Sequence, residues 1–97
     1  MKITWSAQSR RDLKAIHEFI VRDSELYAHR QVARIIQRVD FISNMPSMGH
    51  RVHEYPELFL RETHEGSYRI IYAFDEESLR VVTVVNMKQL LKRGRLD

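Results

Sequence analysis

The chain has 97 residues, a length that suits one small domain and excludes a multidomain enzyme. Hydrophobic residues make up 43% of it and charged residues 30%, which predicts a folded chain rather than a disordered one. Its net charge of +3 favours anionic partners without identifying any of them. There is no cysteine, which excludes disulfides, thiolate metal sites and a cysteine nucleophile and agrees with a reducing cytoplasm. We expect neither a signal peptide nor a membrane span, because no long apolar run occurs.

The N-terminal residues predict a short strand followed by a helix. Residues 2–5 alternate apolar and polar side chains, as a strand with one buried face does. Ser6 or Ser9 then offers a helix cap, and Ser9 followed by Asp12 resembles a capping box. Apolar residues at helical spacing follow, so a first helix is predicted over residues 7–22.

A second helix is predicted from about Glu25. Its apolar residues recur at alternating steps of four and three, and it should end before Pro46, because proline disfavours helical geometry in the residue preceding it. Gly49 is expected to keep the chain in a loop. The break between the helices is only two residues long, Asp23 and Ser24, which predicts an antiparallel helix hairpin.

The second half predicts strands over residues 58–63, 68–74 and 79–86, joined as two consecutive hairpins. The expected fold is therefore α+β, with the helix hairpin on one face of a small, mainly antiparallel sheet that includes the N-terminal strand. Its order is β-α-α-β-β-β. Simple alternation in the last strand puts four side chains on one face: Leu79, Val81, Thr83 and Val85. Both sheet faces carry apolar residues, so we expect the second face to lack part of its cover and to bind a partner. The tail, residues 87–97, predicts a short basic helix at best.

Several local sequences occur in an order that points to a known family. They are Trp5 with Ala7, Asp12-Leu13 with Ile16, Phe19-Ile20, Pro46 to Gly49, Leu60-Arg61-Glu62, Gly66 to Tyr72, Val84-Val85-Asn86 and Lys88-Gln89-Leu90-Leu91. The most specific is the Gly-Ser-Tyr-Arg-Ile-Ile-Tyr strand, because Arg69 lies within an otherwise apolar segment. Together these sequences resemble the RelE/ParE superfamily of bacterial toxins. The resemblance spans nearly the whole chain and implies one toxin domain over residues 1–97.

The resemblance implies the growth-inhibiting toxin of a type II toxin-antitoxin system of the kind associated with plasmid stabilization. A cognate antitoxin would neutralise it, and operator DNA would be reached only through that antitoxin. RelE-like members cleave messenger RNA on the ribosome, whereas ParE-like members inhibit DNA gyrase and are not known as nucleases. The third alternative is a degenerate toxin that only binds its antitoxin.

Residue chemistry separates the two active branches. Cleavage of RNA without a metal requires a base, an acid and donors for the charged transition state. In RelE-like members these are taken to be two lysines on the strand before the Tyr-Arg motif, the motif arginine, an arginine beyond the last strand and a C-terminal tyrosine. Here Arg69 matches the motif arginine, but the preceding strand has no lysine and no tyrosine follows Tyr72. The ParE-like alternative is therefore favoured, and no catalytic residues are expected.

Candidate site residues follow from these alternatives. A reduced ribonuclease site would contain Arg61, His64, Arg69 and Lys88. Target-binding candidates are Arg61, Arg69, Lys88, Leu90, Leu91, Lys92, Arg93 and Arg95. Antitoxin-binding candidates are Arg30, Arg34, Arg38, Tyr72 and Phe74. Arg69 also has a structural interpretation, since it could pair with Glu62 across the hairpin.

No cofactor or metal is expected. The chain contains five histidines, of which His50 and His53 lie three apart beside Glu54. They fall in a predicted loop, where the ligand spacing typical of helices and zinc knuckles carries little weight.

Overall fold

The computed structural model describes residues 1–97 and contains five strands and two helices. Their bounds are β1 Lys2–Trp5, α1 Ala7–Val21, α2 Glu25–Ile42, β2 His50–Arg51, β3 Arg61–Glu65, β4 Tyr68–Phe74 and β5 Ser78–Asn86. Short 3-10 turns occupy Pro46–Met48, Pro56–Leu58 and Arg93–Leu96. The α+β architecture, with a strand, two helices and then a sheet, confirms the predicted fold class.

Both helices begin at serine caps, which accept the backbone N–H groups that a first helical turn leaves without partners. Ser6 Oγ accepts from the backbone N–H of Ser9 at 2.9 Å, and Ser24 Oγ accepts from that of Tyr27 at 3.1 Å. Ser6 is thus the cap of α1. The predicted capping box is wrong, because the Asp12 carboxylate lies against β5 instead of the helix start.

The five strands form one sheet in the order β1-β5-β4-β3-β2. Only β1 and β5 are parallel, and the other neighbours are antiparallel, which confirms the mainly antiparallel sheet. The short β2 was not predicted. It begins directly after Gly49, which had been expected to keep the chain in a loop.

The strand predicted over residues 58–63 begins later, at Arg61. The 3-10 turn Pro56–Leu58 precedes it, and Phe59 then adopts the left-handed conformation with φ 54°. Neither conformation is compatible with an extended strand. Apolar composition alone therefore placed the start of this strand three residues too early.

A β-bulge in β5 changes which face its side chains occupy. Val82 has no partner residue in β4, so the register shifts there. Val81 and Val84 consequently pack toward the helices, while Val82 and Val85 pack on the opposite face. The predicted alternation, which put Val81 and Val85 on one face, is wrong beyond Val82.

Two hydrophobic clusters lie on the two faces of the sheet. The helix-side cluster contains Ile16, Ile35, Val39, Ile42, Ile70, Tyr72, Leu79, Val81 and Val84. The second cluster contains Val52, Leu60, Ile71, Val82, Val85 and Leu91. The second face is thus covered by the chain itself, through the segment between β2 and β3 and through the tail. The expectation that it lacks a cover is wrong, because the tail folds back onto it instead of extending into solvent.

Candidate functional site

Arg69 on β4 lies at the centre of an ionic network on the second face of the sheet. Its guanidinium donates to Glu62 on β3, with Nη2 2.5 Å from Oε2 and Nε 3.0 Å from Oε1. It also donates to Glu54, with Nη1 2.7 Å from Oε2 and Nη2 3.0 Å from Oε1. The predicted pairing of Arg69 with Glu62 is therefore present. His64 completes the network, its Nε2 lying 2.7 Å from Glu62 Oε1.

The network changes the proton affinities of its members. Hydrogen bonds from Arg69 lower the pKa of Glu54 below its usual value. Burial acts to raise the pKa of Glu62, but the hydrogen bonds from Arg69 and His64 outweigh it and lower that pKa. Hydrogen bonds to Glu54 and Glu62 raise the pKa of Arg69 further. At neutral pH the arginine is thus charged and faces two ionised carboxylates.

Arg61 lies on the opposite face of the sheet from Arg69. It is directly opposite Tyr72 of the helix-side cluster, and its Nη1 donates to the Gly49 carbonyl at 2.9 Å. Lys88 is exposed beyond the end of β5, and its side chain has no hydrogen-bond or ion-pair partner. Of the four residues of the ribonuclease alternative, the structure therefore brings together only Arg69 and His64, and both are bonded to Glu62.

The antitoxin-binding candidates occupy different environments. Arg30 and Arg34 are exposed on α2 and pair with no acidic side chain, whereas Arg38 Nε donates to Thr63 Oγ1 on β3 at 2.8 Å. Phe74 is partly exposed, at 39%. Tyr72 is fully buried, and its hydroxyl donates to the Pro46 carbonyl at 2.6 Å. Its assignment as a contact residue is corrected, because alternation along β4 places Tyr72 with Ile70 on the helix side of the sheet, inside the core.

The tail also separates into buried and exposed residues. Leu91 is only 5% exposed and packs in the second cluster, so its assignment as a target contact is corrected. Leu90 is 83% exposed beside it, and Lys92 is exposed without an ionic partner. Arg93 Nη1 lies 3.9 Å from Glu57, and Arg95 Nη1 donates to Asp12 at 2.8 Å. The tail is a structured strap with a short 3-10 turn, and the predicted basic helix is absent.

The sequence interpretation missed two residues that organise this region. Glu54 contacts Arg69 from a segment with no regular structure, and no sequence pattern predicts that contact. Asp12 is 7% exposed and accepts from Thr83 Oγ1 at 2.5 Å and from the backbone N–H of Val84 at 2.9 Å. An acidic residue on the apolar side of a helix was the available signal, because buried carboxylates are almost always paired.

A groove of about 500 Å³ runs beside the sheet edge formed by β1. Its lining residues are Ile3, Thr4, Trp5, Arg10, Leu13 and Ile36. β1 pairs only with β5, so the backbone groups on its other side have no strand partner.

Neither helix has the length and apolar character that a membrane span requires. The structure also contains no group of three acidic or histidine side chains that could hold a metal ion.

This fold is similar to those of two solved toxin-antitoxin structures. A structure described as the chromosomal ParDE system from P. aeruginosa superposes with a TM-score of 0.73, at 18% identity over 89% of this chain and 95% of that one. The RelBE2 toxin-antitoxin complex from Mycobacterium tuberculosis superposes with a TM-score of 0.63, at 20% identity over 88% of this chain and 95% of that one. At such identities the similarity concerns the fold.

The sequence itself matches a family model. Residues 3–91 match the model described as the ParE toxin of the type II toxin-antitoxin system parDE. No curated protein matches the chain. Because the family model covers most of the chain, the chain belongs to the ParE toxin family, and it is the toxin of a type II toxin-antitoxin system.

Proposed function

We propose that this toxin acts in the cytoplasm by binding DNA gyrase and inhibiting it, without catalysing a reaction of its own. The observation that supports this proposal is the hydrogen bonding of Arg69, which matches the motif arginine of the nuclease branch. Its guanidinium donates four hydrogen bonds to Glu54 and Glu62. Four of its five N–H donors are thereby engaged, which leaves a single Nη1–H for a phosphate.

The charges around Arg69 also oppose RNA binding. Two ionised carboxylates surround one guanidinium, so the network carries a net negative charge when His64 is neutral, which repels a phosphodiester. Arg61 cannot compensate from the opposite face of the sheet. A reduced nuclease site therefore lacks most of the donors that would stabilise the transition state of RNA cleavage.

The proposal includes a cognate antitoxin bound along β1. The unpaired edge of β1 offers backbone N–H and C=O groups to an additional strand, and the adjacent groove offers apolar surface between Trp5 and Ile36. Arg10 in the groove wall favours an acidic segment. Both solved neighbours are toxin-antitoxin systems, which supports an antitoxin partner here.

The decisive experiment is supercoiling of relaxed plasmid by gyrase and ATP with the purified toxin titrated in. We expect loss of supercoiling at stoichiometric toxin, with trapped and linearised DNA, and recovery on adding the antitoxin. The matched control is the same toxin preincubated with antitoxin.

The alternatives give different results. A folded, antitoxin-binding toxin that leaves gyrase unaffected and cleaves messenger RNA on programmed ribosomes would establish the RelE-like activity instead. A toxin that binds antitoxin, affects neither target and does not arrest growth would be the degenerate form.

A further inference from the structure

Phe59 has an unusual backbone conformation and an exposed side chain. It follows the 3-10 turn Pro56–Leu58, and its backbone N–H donates to the Pro56 carbonyl at 3.3 Å. Its φ of 54° lies in the left-handed region, where glycine and asparagine are favoured and a bulky residue is strained. The side chain is nevertheless 76% exposed, so burial does not compensate for this conformation. Strained, exposed positions of this kind are concentrated at functional sites.

The loop that carries Phe59 is attached to the tail. The Tyr55 hydroxyl donates to the Leu91 carbonyl at 3.1 Å, and the Arg93 guanidinium lies over the Tyr55 ring, 5.8 Å from its centre. Leu60, the residue after Phe59, and Leu91 are buried in the same cluster. Phe59 and Leu90 thus each precede a buried residue of the second cluster, in the loop and the tail that cover the same face of the sheet. Both are among the most exposed large apolar side chains of the chain.

The tail also carries uncompensated positive charge. Lys88 and Lys92 flank Leu90 in the tail, both are exposed, and neither forms an ion pair. The acidic residues of the neighbouring loop are already engaged, since Glu54 binds Arg69 and Glu57 faces Arg93. Apolar anchors surrounded by free cations are complementary to an acidic protein surface that contains apolar pockets.

We propose that Phe59 and Leu90 are the apolar anchors of a docking surface, completed by Lys88 and Lys92, that binds an acidic patch on the protein that the toxin inhibits. The inference deepens the proposed function and rests on its premise that the toxin acts by protein contact. This loop-tail surface is formed by the loop before β3 and by the tail, whereas the groove proposed for the antitoxin is lined by residues of β1, α1 and α2. The toxin can thus present its target surface through elements that the antitoxin groove does not include.

The test compares Phe59→Asn with the matched control Phe19→Ala, which removes another highly exposed phenylalanine, on α1. Asparagine tolerates the left-handed conformation, so we expect Phe59→Asn to unfold at the wild-type temperature or above it and to bind antitoxin normally. It should nevertheless lose growth arrest in cells and bind gyrase at least tenfold more weakly. Leu90→Ser should behave in the same way, and Phe19→Ala should remain toxic.

Charge reversal tests the second part of the surface. Lys88→Glu combined with Lys92→Glu should weaken target binding and reduce its dependence on salt concentration. Retained toxicity of Phe59→Asn and Leu90→Ser would overturn the inference, as would loss of antitoxin binding as their main defect. A wild-type toxin without effect on growth would overturn it too.

The same measurements distinguish an error in the proposed gyrase target from an error in the proposed loop-tail surface. If the wild-type toxin arrests growth but leaves gyrase unaffected, gyrase is excluded as the target. Loss of growth arrest in Phe59→Asn, with antitoxin binding intact, would then still support the loop-tail surface, now directed at another protein.

Discussion

Replacing Arg69 should destabilise the fold, because its ionic network is largely buried. The side chains of Arg69 and Glu62 are only 13% and 10% exposed. Removing one partner of a buried pair costs about 3–5 kcal/mol, since the other charge is left without compensation. Glu54 is 40% exposed, so its contact adds less than about 1 kcal/mol. For Arg69→Met we expect a loss of about 3 kcal/mol in the free energy of unfolding.

Urea denaturation measures this loss, and thermal denaturation should show a fall of about 10–20 °C in Tm for a domain of this size. The control is Arg34→Met, which removes an exposed arginine without a partner and should change the free energy of unfolding by less than about 0.5 kcal/mol. Adding Glu62→Gln to Arg69→Met should restore much of the loss, because no buried charge then remains unpaired. An Arg69→Met variant as stable as Arg34→Met would refute the reasoning.

The pH dependence of the unfolding free energy tests independently whether the Arg69 network stabilises the fold. The folded-state pKa values of Glu54 and Glu62 lie below their ordinary value of 4.5. Their stabilising contribution is therefore fully present above that value and is lost as the pH falls through the lower folded-state pKa. The difference in unfolding free energy between the wild type and Arg69→Met should shrink between neutral pH and about pH 3. A constant difference would show that the network is not its source.

Two further substitutions test contacts elsewhere. In Gly49→Ala the new methyl group would clash with the Tyr72 hydroxyl, so we expect a loss of about 2 kcal/mol or more in denaturation experiments, whereas Gly94→Ala, with nothing within 4 Å, should be neutral. Asp12→Asn removes the charge that binds Arg95, so the tail should become more accessible to limited proteolysis and its amides should exchange faster. Unchanged protection of the tail would contradict that role.

The sequence predicted those features that depend on local patterns. The periodic apolar residues predicted the start of each helix to within one residue of its observed position. A serine cap and a proline indicated where the helical region begins and ends. The pairing of Arg69 with Glu62 was also accessible, because opposite charges on adjacent strands of a hairpin lie within reach of each other. In these cases the deciding contacts join neighbouring segments of the chain.

Features that depend on distant contacts were missed. Residues 81–85 of β5 are apolar except for Thr83, so no pattern of polarity shows the bulge at Val82. Leu90 and Leu91 are the same residue type, and only the fold decides that one is buried and the other exposed. Glu54 reaches its partner from an irregular segment. Each of these outcomes depends on tertiary packing rather than on local sequence.

The pairing of the first strand with the last also determines when the toxin completes its fold. Ser6, directly after β1, donates its hydroxyl hydrogen to the Val82 carbonyl, 76 residues further along the chain. During synthesis β1 therefore has no strand partner until β5 has been made. Closing so long a loop is among the slower steps of folding. A chain that ends before β5 lacks the partner of β1, so it cannot form this edge of the sheet.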